Sequence, residues 1–416
     1  HYYSAMKKSL SSLAMLMILS CSQYKDSSLL NDILNSMDQK HLPIVNNPDE
    51  HFLQIIYTQI DRDISQAPKF TTHTYNIDPK KYFYPASTVK FPAAVLALDK
   101  LRRYESLGIT RDTKLTIDSS RDWMLPVNSD TTHELSNATI GQYIKKIFVV
   151  SDNDAHNRLY EFLGQKHFNQ RMWDLGYSET RMRHRLSIRL TPEQNKYTNA
   201  FTFYKDNIKL LDQPMQYSEL DLNVNSKNNL IGLSYFEDGQ KIESPMDFST
   251  KNFFSITEQH AFLQQVMFPD YVNSEKRLYL NRNDYDFLYE WMSKLPKEST
   301  FPFYEDRDRY PDGYCKFFMF GDTKKQIPTN IRIFNKVGMA YGFLIDNAYI
   351  IDTVNDIEFF LTVSIYSNKN QTLNDDEYEY DEITMPFIAQ FGTLIYEYEL
   401  LREKKIAPDF SRLIRE

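Results

Sequence analysis

The stretch that decides the fold is Ser87-Thr88-Val89-Lys90, which opens an apolar run over residues 91–101. The run predicts a buried helix, and residues three apart on a helix lie on the same face. The Ser87 hydroxyl and the Lys90 amine should therefore point the same way, close enough to share a proton. A serine needs a neighbouring base to act as a nucleophile, and lysine becomes one when burial or a second cation lowers its pKa.

Two further motifs follow in the chain. Ser151-Asp152-Asn153 separates predicted helices at 140–150 and 154–163, and Lys336-Val337-Gly338 ends an alternating segment that predicts a strand. Ser-Asp-Asn and Lys-x-Gly each occur once in the chain, whereas Ser-x-x-Lys also occurs at Ser4–Lys7 and Ser22–Lys25. The order and context of the three motifs favour a shared chemical role.

Each motif taken alone also has an ordinary structural interpretation. Ser151 or Asp152 could be the N-cap of the following helix. Lys336 could be a solvated charge on a strand, and Ser87 could be a cap or core serine. These alternatives explain the motifs singly, but they do not explain why all three occur together in this order.

The three motifs resemble the signature set of class A β-lactamases and penicillin-binding proteins. The resemblance covers roughly residues 50–405, with 203–300 as the unmatched part. It implies an α+β, β-lactamase/transpeptidase-like fold: an antiparallel sheet flanked by helices, plus an all-helical subdomain, with the cleft between them.

The resemblance also implies a role for each site residue. Ser87 attacks a carbonyl, with Lys90 as its base and with Lys336 lowering the pKa of Lys90. Ser151 passes a proton to the leaving nitrogen. The substrate-binding positions are Asn153, Val337 and Gly338, and the backbone N–H groups of Ser87 and Met339 form an oxyanion hole.

Two departures from the family pattern bear on turnover. Val337 replaces a threonine whose hydroxyl would bind a substrate carboxylate. The loop 191–195, Thr-Pro-Glu-Gln-Asn, matches a Glu-Pro-Glu-x-Asn pattern with Thr191 in place of the first glutamate. Glu193 is then the candidate loop carboxylate, and hydrolysis of an acyl-serine should be slow.

Composition excludes some classes of function. The net charge of −8, from 48 basic and 56 acidic residues, argues against a general nucleic-acid binder. The 11 glycines form no G-x-G-x-x-G or phosphate loop, and the nine histidines show no metal-ligand spacing. No cofactor or metal is therefore expected.

The N-terminus predicts export. Lys7 and Lys8 precede a short apolar run at 13–19 that ends near Cys21. Leu-Ser-Cys at 19–21 resembles a bacterial lipobox, which implies a signal peptide over 1–21 and a lipid on the Cys21 sulfur; a plain signal peptide is the alternative. The predicted location is the bacterial cell envelope, lipid-anchored and periplasmic or surface-facing. Cys315, the other cysteine, is expected to be a buried structural thiol.

The remaining pattern predicts the domain organisation. We expect a tether at 22–47, a catalytic domain at 48–405 with an insertion near 203–300, and a C-terminal tail at 406–416. Within the domain the sequence predicts the following: helical pattern at 52–60 and 110–176, a strand at 70–77, a hairpin at Asp238-Gly239, helices at 258–267, 285–295 and 383–402, and strands at 330–337, 344–352 and 357–366.

The hypothesis is a serine hydrolase that transfers an acyl group from an amide, a β-lactam or a cell-wall peptide, through an acyl-Ser87 intermediate. One alternative is a penicillin-binding D,D-peptidase. The other is a catalytically silent binding lipoprotein on the same scaffold.

Overall fold

The computed structural model describes residues 24–414. The predicted signal peptide and its Cys21 lie outside the described residues. Within this range no helix combines the length and the apolar character that a membrane crossing requires.

Nine α-helices lie within residues 24–414. They are α1 Ser28–Asn35, α2 Leu42–Asn46, α3 Lys90–Leu101, α4 Ile140–Val150, α5 Asn153–Leu163, α6 Gln165–Asp174, α7 Ile256–Met267, α8 Arg282–Ser293 and α9 Met385–Leu401. Two short 3-10 turns matter for the site, Ala86–Val89 and Asp312–Cys315.

Thirteen strands lie in the same range. They are β1 Gln54–Arg62, β2 Pro68–Tyr75, β3 Lys114–Asp118, β4 Ala200–Lys205, β5 Ile208–Gln213, β6 Leu230–Ile231, β7 Ser234–Glu237, β8 Gln240–Ile242, β9 Met246–Asp247, β10 Ile331–Ala340, β11 Phe343–Asp352, β12 Ile357–Tyr366 and β13 Thr372–Leu373.

The central sheet has the order β10-β11-β12-β1-β2 and is antiparallel throughout. Every residue of β11 and β12 is buried, because helices cover both faces of the sheet. Side chains of α9 and α1 pack in the apolar cluster on one face, and α7 and α8 pack on the other. The predicted antiparallel sheet of terminal segments, flanked by helices, is confirmed.

The helical subdomain is built around α3. All twelve residues of α3 are buried, including Lys90, Asp99 and Lys100, so the helix is surrounded by protein on every side. It packs against α4, α5 and α6. The prediction of an all-helical subdomain is incomplete, because the three-stranded sheet β3-β4-β5 is attached to it. The helical pattern predicted for 110–176 therefore holds for α4, α5 and α6 but not for β3.

The helical pattern predicted at 52–60 is wrong, because this segment forms β1. Ile55, Ile56 and Ile60 are buried in a strand that pairs with β12 on one side and β2 on the other. A strand covered on both faces carries apolar residues without alternation, so its spacing can imitate that of a helix.

The predicted tether at 22–47 is folded from Ser28 onward. Leu30 and Leu34 of α1 are fully buried, and Ile44 of α2 is 2% exposed. All three lie in the apolar cluster beneath the sheet. The folded domain therefore begins about twenty residues before the predicted boundary at residue 48.

The predicted insertion at 203–300 divides into two parts. The strands β6–β9 form small hairpins, and Asp238 and Gly239, with φ of 52° and 73°, make the predicted tight turn between β7 and β8. By contrast α7 and α8, whose predicted bounds lie within three residues of those observed, belong to the main core. In the predicted tail, Phe410 is 8% exposed and packs against the same core.

Candidate active site

Three elements bring the sequence motifs together. Ser87 lies in the 3-10 turn that leads into α3, Ser151 lies between α4 and α5, and Lys336 lies in β10. The turn at Ser87 packs directly against β10. The predicted convergence of the three motifs is therefore present in the fold.

Lys90 is fully buried at the first residue of α3. Its Nζ donates to the carbonyl oxygen of Ser151, to Asn153 Oδ1 at 2.6 Å and to Ser151 Oγ at 3.2 Å. Lys336 is 3% exposed, and its Nζ donates to Ser151 Oγ at 2.8 Å and to the Val337 carbonyl at 2.9 Å. Both amines thus meet at one hydroxyl.

That hydroxyl belongs to Ser151, whereas the sequence predicted convergence on Ser87. Within residues 24–414 no hydrogen bond engages Ser87 Oγ. The reason is local geometry: Ser87 occupies a 3-10 turn, and the Lys90 side chain extends from the start of α3 towards α5. The hydroxyl of Ser87, the candidate nucleophile, therefore has no hydrogen-bond partner among residues 24–414, and the Ser151 hydroxyl bridges the two lysines.

The two amines differ in their pKa. Burial lowers the pKa of Lys90 well below its ordinary value, and the charge of Lys336 lowers it further. Burial lowers the pKa of Lys336 to about 8. No carboxylate within residues 24–414 lies in ion-pair range of either amine. Near neutral pH the arrangement therefore favours a charged Lys336 beside a Lys90 that gives up its proton easily.

Gly338 allows β10 to approach the turn at Ser87. A Cβ atom at Gly338 would lie 2.7 Å from the Pro85 carbonyl oxygen and 3.2 Å from the Ser87 nitrogen. No other residue fits without a shift of backbone. This close approach brings the Ser87 N–H beside the strand that continues into Met339, the two groups predicted to form an oxyanion hole.

Val337 does not offer its side chain to the cleft. It is 4% exposed and lies in the same apolar cluster as Ile331 and Ile333, on the α9 side of the sheet. Lys336 and Gly338 alternate with it and face the helical subdomain. The burial of its side chain argues against the predicted contact of that side chain with a substrate, and its carbonyl accepts from Lys336.

Asp152, and not Ser151, is the helix cap. Asp152 Oδ1 accepts from the Ala155 N–H at 2.7 Å at the start of α5. Ser151 ends α4 in the left-handed region with φ of 58°, an uncommon conformation for a residue other than glycine. The capping interpretation thus applies to Asp152, and the Ser151 side chain is left for the lysines.

Glu193 lies away from the motifs. It is exposed, pairs with Lys196 at 3.1 Å and accepts from the Tyr217 hydroxyl at 3.0 Å. Hydrogen bonds from Lys196 and Tyr217 lower its pKa. None of its hydrogen bonds or ion pairs in residues 24–414 reaches Ser87, Lys90 or Ser151. The contacts of Glu193 do not support its prediction as a carboxylate of the cleft.

A different part of the loop meets the cleft. Asn153 Nδ2 donates to Ser187 Oγ at 2.8 Å, which brings the loop to the residue that holds Lys90. Sequence reasoning missed Ser187, because it belongs to no recognisable motif. It lies four residues before the matched pattern at 191–195, and only the path of the loop places it beside Asn153.

A buried polar network supports β10 behind Lys336. Asn335 Nδ2 donates to Asp346 Oδ1 at 2.8 Å and to the Cys315 carbonyl at 2.9 Å, and its Oδ1 accepts from Lys316 Nζ at 2.6 Å. Burial raises the pKa of Asp346 to about 6. Cys315 is 7% exposed, and burial raises the pKa of its thiol. The thiol is buried, as expected, but it lies near the two lysines.

Comparison with known proteins places the chain in a family. The model of the beta-lactamase enzyme family matches residues 67–398, well over half of the chain, so the protein belongs to that family. The predicted resemblance and fold class are confirmed, and membership assigns the chain to the β-lactamase-like hydrolases. A search of curated proteins gave no match.

Several solved structures are similar. A beta-lactamase from Burkholderia phymatum is 12% identical over 89% of this chain and 100% of its own, with a TM-score of 0.46. One from Burkholderia ambifaria is 15% identical over 87% and 99%, also with 0.46. A structure titled PBP-A is 12% identical over 91% and 98%, again with 0.46.

Proposed function

We propose that the protein accepts an acyl group from an amide donor, a β-lactam or a cell-wall stem peptide, on the hydroxyl of Ser87. The observation that carries the proposal is a pair of buried amines that meet at Ser151 and have no carboxylate partner among residues 24–414, with the Ser87 hydroxyl left unbonded in the adjoining turn. Buried ammonium groups without counterions are costly, and strongly perturbed lysines in a cleft are typical of reaction sites.

The proposed acylation begins at Ser87. Ser87 Oγ attacks the carbonyl carbon and its proton goes to the neutral Lys90 amine. The backbone N–H groups of Ser87 and Met339 stabilise the oxyanion. The carbon–nitrogen bond then breaks, and the leaving nitrogen takes a proton from Ser151 Oγ, which Lys90 restores. Lys336, as a cation, favours the developing negative charge on Ser151.

The second half-reaction, attack of water on the acyl-Ser87 ester, lacks an evident carboxylate base. Thr191 stands where the family pattern has a glutamate, and Glu193 is engaged with Lys196 and Tyr217. This observation favours a second candidate, a penicillin-binding D,D-peptidase that reacts with β-lactams once and releases them slowly. Fast β-lactam destruction is not expected.

Intact-protein mass spectrometry with a β-lactam, followed over time, tests the proposal. We expect one stable adduct per chain in the wild type and none in Ser87→Ala. Slow loss of the adduct with poor nitrocefin turnover would favour the peptidase, and fast loss would favour a β-lactamase. An adduct that persists in Ser87→Ala, or no adduct with β-lactam or fluorophosphonate donors, would overturn the acyl-serine proposal. Binding of peptidoglycan fragments that is equal in both proteins, without turnover, would then favour a silent binding protein.

We also propose that Cys21 carries a lipid that anchors the protein in the cell envelope. The support is the sequence pattern at 13–21. Metabolic labelling with a fatty acid should mark the wild type and spare Cys21→Ser. Equal labelling, or recovery of both proteins in the soluble fraction, would contradict the anchor.

A further inference from the structure

A cavity of about 210 Å³ lies between the end of α7, the start of α8, the segment 268–281 that connects them, and Arg412. None of the residues that line it belongs to the candidate active site. Asp99, which accepts from the Tyr279 N–H of the connecting segment at 2.7 Å, lies nine residues after Lys90 in α3. That spacing corresponds to roughly 14 Å along the helix axis, so the cavity is separate from the cleft.

Buried side chains of the core fix the connecting segment. Gln265, 3% exposed, donates from Nε2 to the Lys276 carbonyl at 2.6 Å. Arg171, 7% exposed, pairs with the buried Asp99 at 2.9 Å and also donates to the Arg277 carbonyl at 2.9 Å. Breaking such hydrogen bonds would leave polar groups unpaired away from water. The wall of the cavity is therefore held in shape by the protein itself.

The cavity presents hydrogen-bond donors that have no acceptor among residues 24–414. Tyr285 is 7% exposed, and its hydroxyl has no hydrogen-bond partner in this range. The Nε of Arg412 is buried and also lacks a partner. The guanidinium of Arg277 forms no hydrogen bond or ion pair with the described residues. A group of donors without acceptors, two of them guanidinium groups, is complementary to an anion.

The charges of the cavity indicate how many negative charges the anion carries. Three arginines line it, and two of them are balanced: Arg412 pairs with Asp270 at 2.7 Å, and Arg282 pairs with Asp286 at 3.2 Å. Of the three, Arg277 is the one without a carboxylate partner in the described part of the chain. One uncompensated positive charge favours an anion with a single negative charge.

We propose that this cavity binds an organic carboxylate with a short apolar chain. The carboxylate oxygens accept from the Arg277 guanidinium, the Arg412 Nε–H and the Tyr285 hydroxyl. The apolar chain packs against Leu278 and Leu280, which also line the cavity. The site lies outside the candidate active site, and the inference does not depend on the proposed acyl transfer.

Isothermal titration calorimetry of the wild-type protein with hexanoate, at low ionic strength, tests the proposal. We expect one hexanoate to bind per chain. Hexanamide, which has the same chain without the charge, should bind at least about tenfold more weakly, because it cannot form charge-assisted hydrogen bonds. Acetate and inorganic phosphate, which lack the chain, should also bind more weakly than hexanoate. Phosphate binding as tight as that of hexanoate would overturn the apolar part of the proposal.

Three variants separate a specific site from general attraction to positive charge. Tyr285→Phe and Arg277→Gln should each weaken hexanoate binding about tenfold, as for the loss of a hydrogen bond to a charged group. Arg282→Gln is the matched control, because it removes the same charge from the same cavity but from a guanidinium that Asp286 already occupies. It should change the affinity less than about twofold.

The proposal would be overturned if wild-type protein bound no hexanoate, or if hexanoate and hexanamide bound equally well. Equal affinity in wild type, Tyr285→Phe and Arg277→Gln would overturn it as well. An equal loss in Arg277→Gln and Arg282→Gln would show that net charge, and not this arrangement of donors, attracts the anion. Circular dichroism of each variant shows whether a loss of binding reflects a loss of folding.

Discussion

Buried cations have different partners in two neighbouring regions of the molecule. One region is the junction of α3, α5 and β10, and the other is the adjoining loop at 177–199. In the loop, Arg185 lies 3.3 Å from the Glu161 carboxylate and donates to the Tyr197 carbonyl. At the junction, Lys90 and Lys336 are as deeply buried, but within residues 24–414 their hydrogen bonds go only to neutral oxygens. A guanidinium with a carboxylate stays charged and fixes structure, whereas an amine without one gives up its proton readily.

This difference corresponds to the two halves of the proposed reaction, acylation of Ser87 and hydrolysis of the acyl-Ser87 ester. The junction contains everything that acylation needs: an open serine, a perturbed lysine, and a serine between two amines. In the loop, Glu193 is engaged with Lys196, and Glu161 of α5 is engaged with Arg185 of the loop. Under the proposed function, acylation has its groups at the junction, whereas neither of these two carboxylates is free to act as a base for hydrolysis.

The largest effect is expected from Lys90→Met. Loss of the general base should slow acylation of Ser87 about a thousandfold. Lys100→Met is the matched control, since Lys100 is also buried on α3, its pKa is lowered to about 7, and it donates to Gln213 Oε1 away from the cleft. Stopped-flow acylation rates, corrected for the folded fraction, check this. Equal losses in both variants would mean that burial of a lysine, and not its place in the cleft, explains the effect.

Gly338→Ala should have the next largest effect. The added methyl meets the Pro85 carbonyl and the Ser87 nitrogen, so β10 must move away from the turn. We expect acylation to fall about a hundredfold, as for loss of an oxyanion-hole donor, with a cost of about 1–3 kcal/mol in stability. The control is Gly239→Ala, where φ is 73° but no atom lies within 4 Å; it should lose stability only. Normal acylation by Gly338→Ala would exclude the proposed oxyanion hole.

Ser187→Asp tests the difference between the two regions by adding a carboxylate to the loop. It puts a carboxylate on the loop beside Asn153, and aspartate is among the residues that tolerate a positive φ. Loss of the acyl adduct should accelerate about tenfold or more, which is less than the roughly 10²- to 10⁴-fold that a fully positioned general base contributes. Time-resolved mass spectrometry measures it. Glu193→Gln, which removes the loop's exposed carboxylate, should leave the rate of adduct loss unchanged. A slower loss in this variant would show that Glu193 takes part in hydrolysis of the adduct.

The smallest expected effect is on the pH dependence of the acylation rate. Acylation requires neutral Lys90 and charged Lys336, so the rate should rise as Lys90 loses its proton and fall as the pH passes about 8, the pKa of Lys336. Lys336→Arg keeps the charge and should move the alkaline limb upward by at least one pH unit. A limb that stays near pH 8 in this variant would assign it to another group.

The same lowered pKa has a consequence for stability. Folding depresses the pKa of Lys336 from 10.5 to about 8, so the unfolded chain binds the proton more tightly. The burial of this lysine therefore costs stability below pH 8, and the cost is relieved as the pH rises from about 8 to 10.5.

The sequence by itself determined the elements whose pattern is local. The helix α4 matches its predicted bounds, β12 does so as well, and the turn at Asp238-Gly239 follows from the residues it needs. The three motifs were sufficient to indicate the family and its fold class, because the residue types and their order carry that information without coordinates.

Tertiary structure decided the rest, because the outcome depended on residues distant in the chain. Whether 52–60 became helix or strand depended on β12 and β2 covering its edges, and whether 28–46 folded depended on the sheet beneath α9. The partners of Lys90 and Lys336 were settled in the same way: a loop conformation with positive φ brought the Ser151 hydroxyl between them. Only the path of the loop brought Ser187 to Asn153, and no local signal marks such a contact.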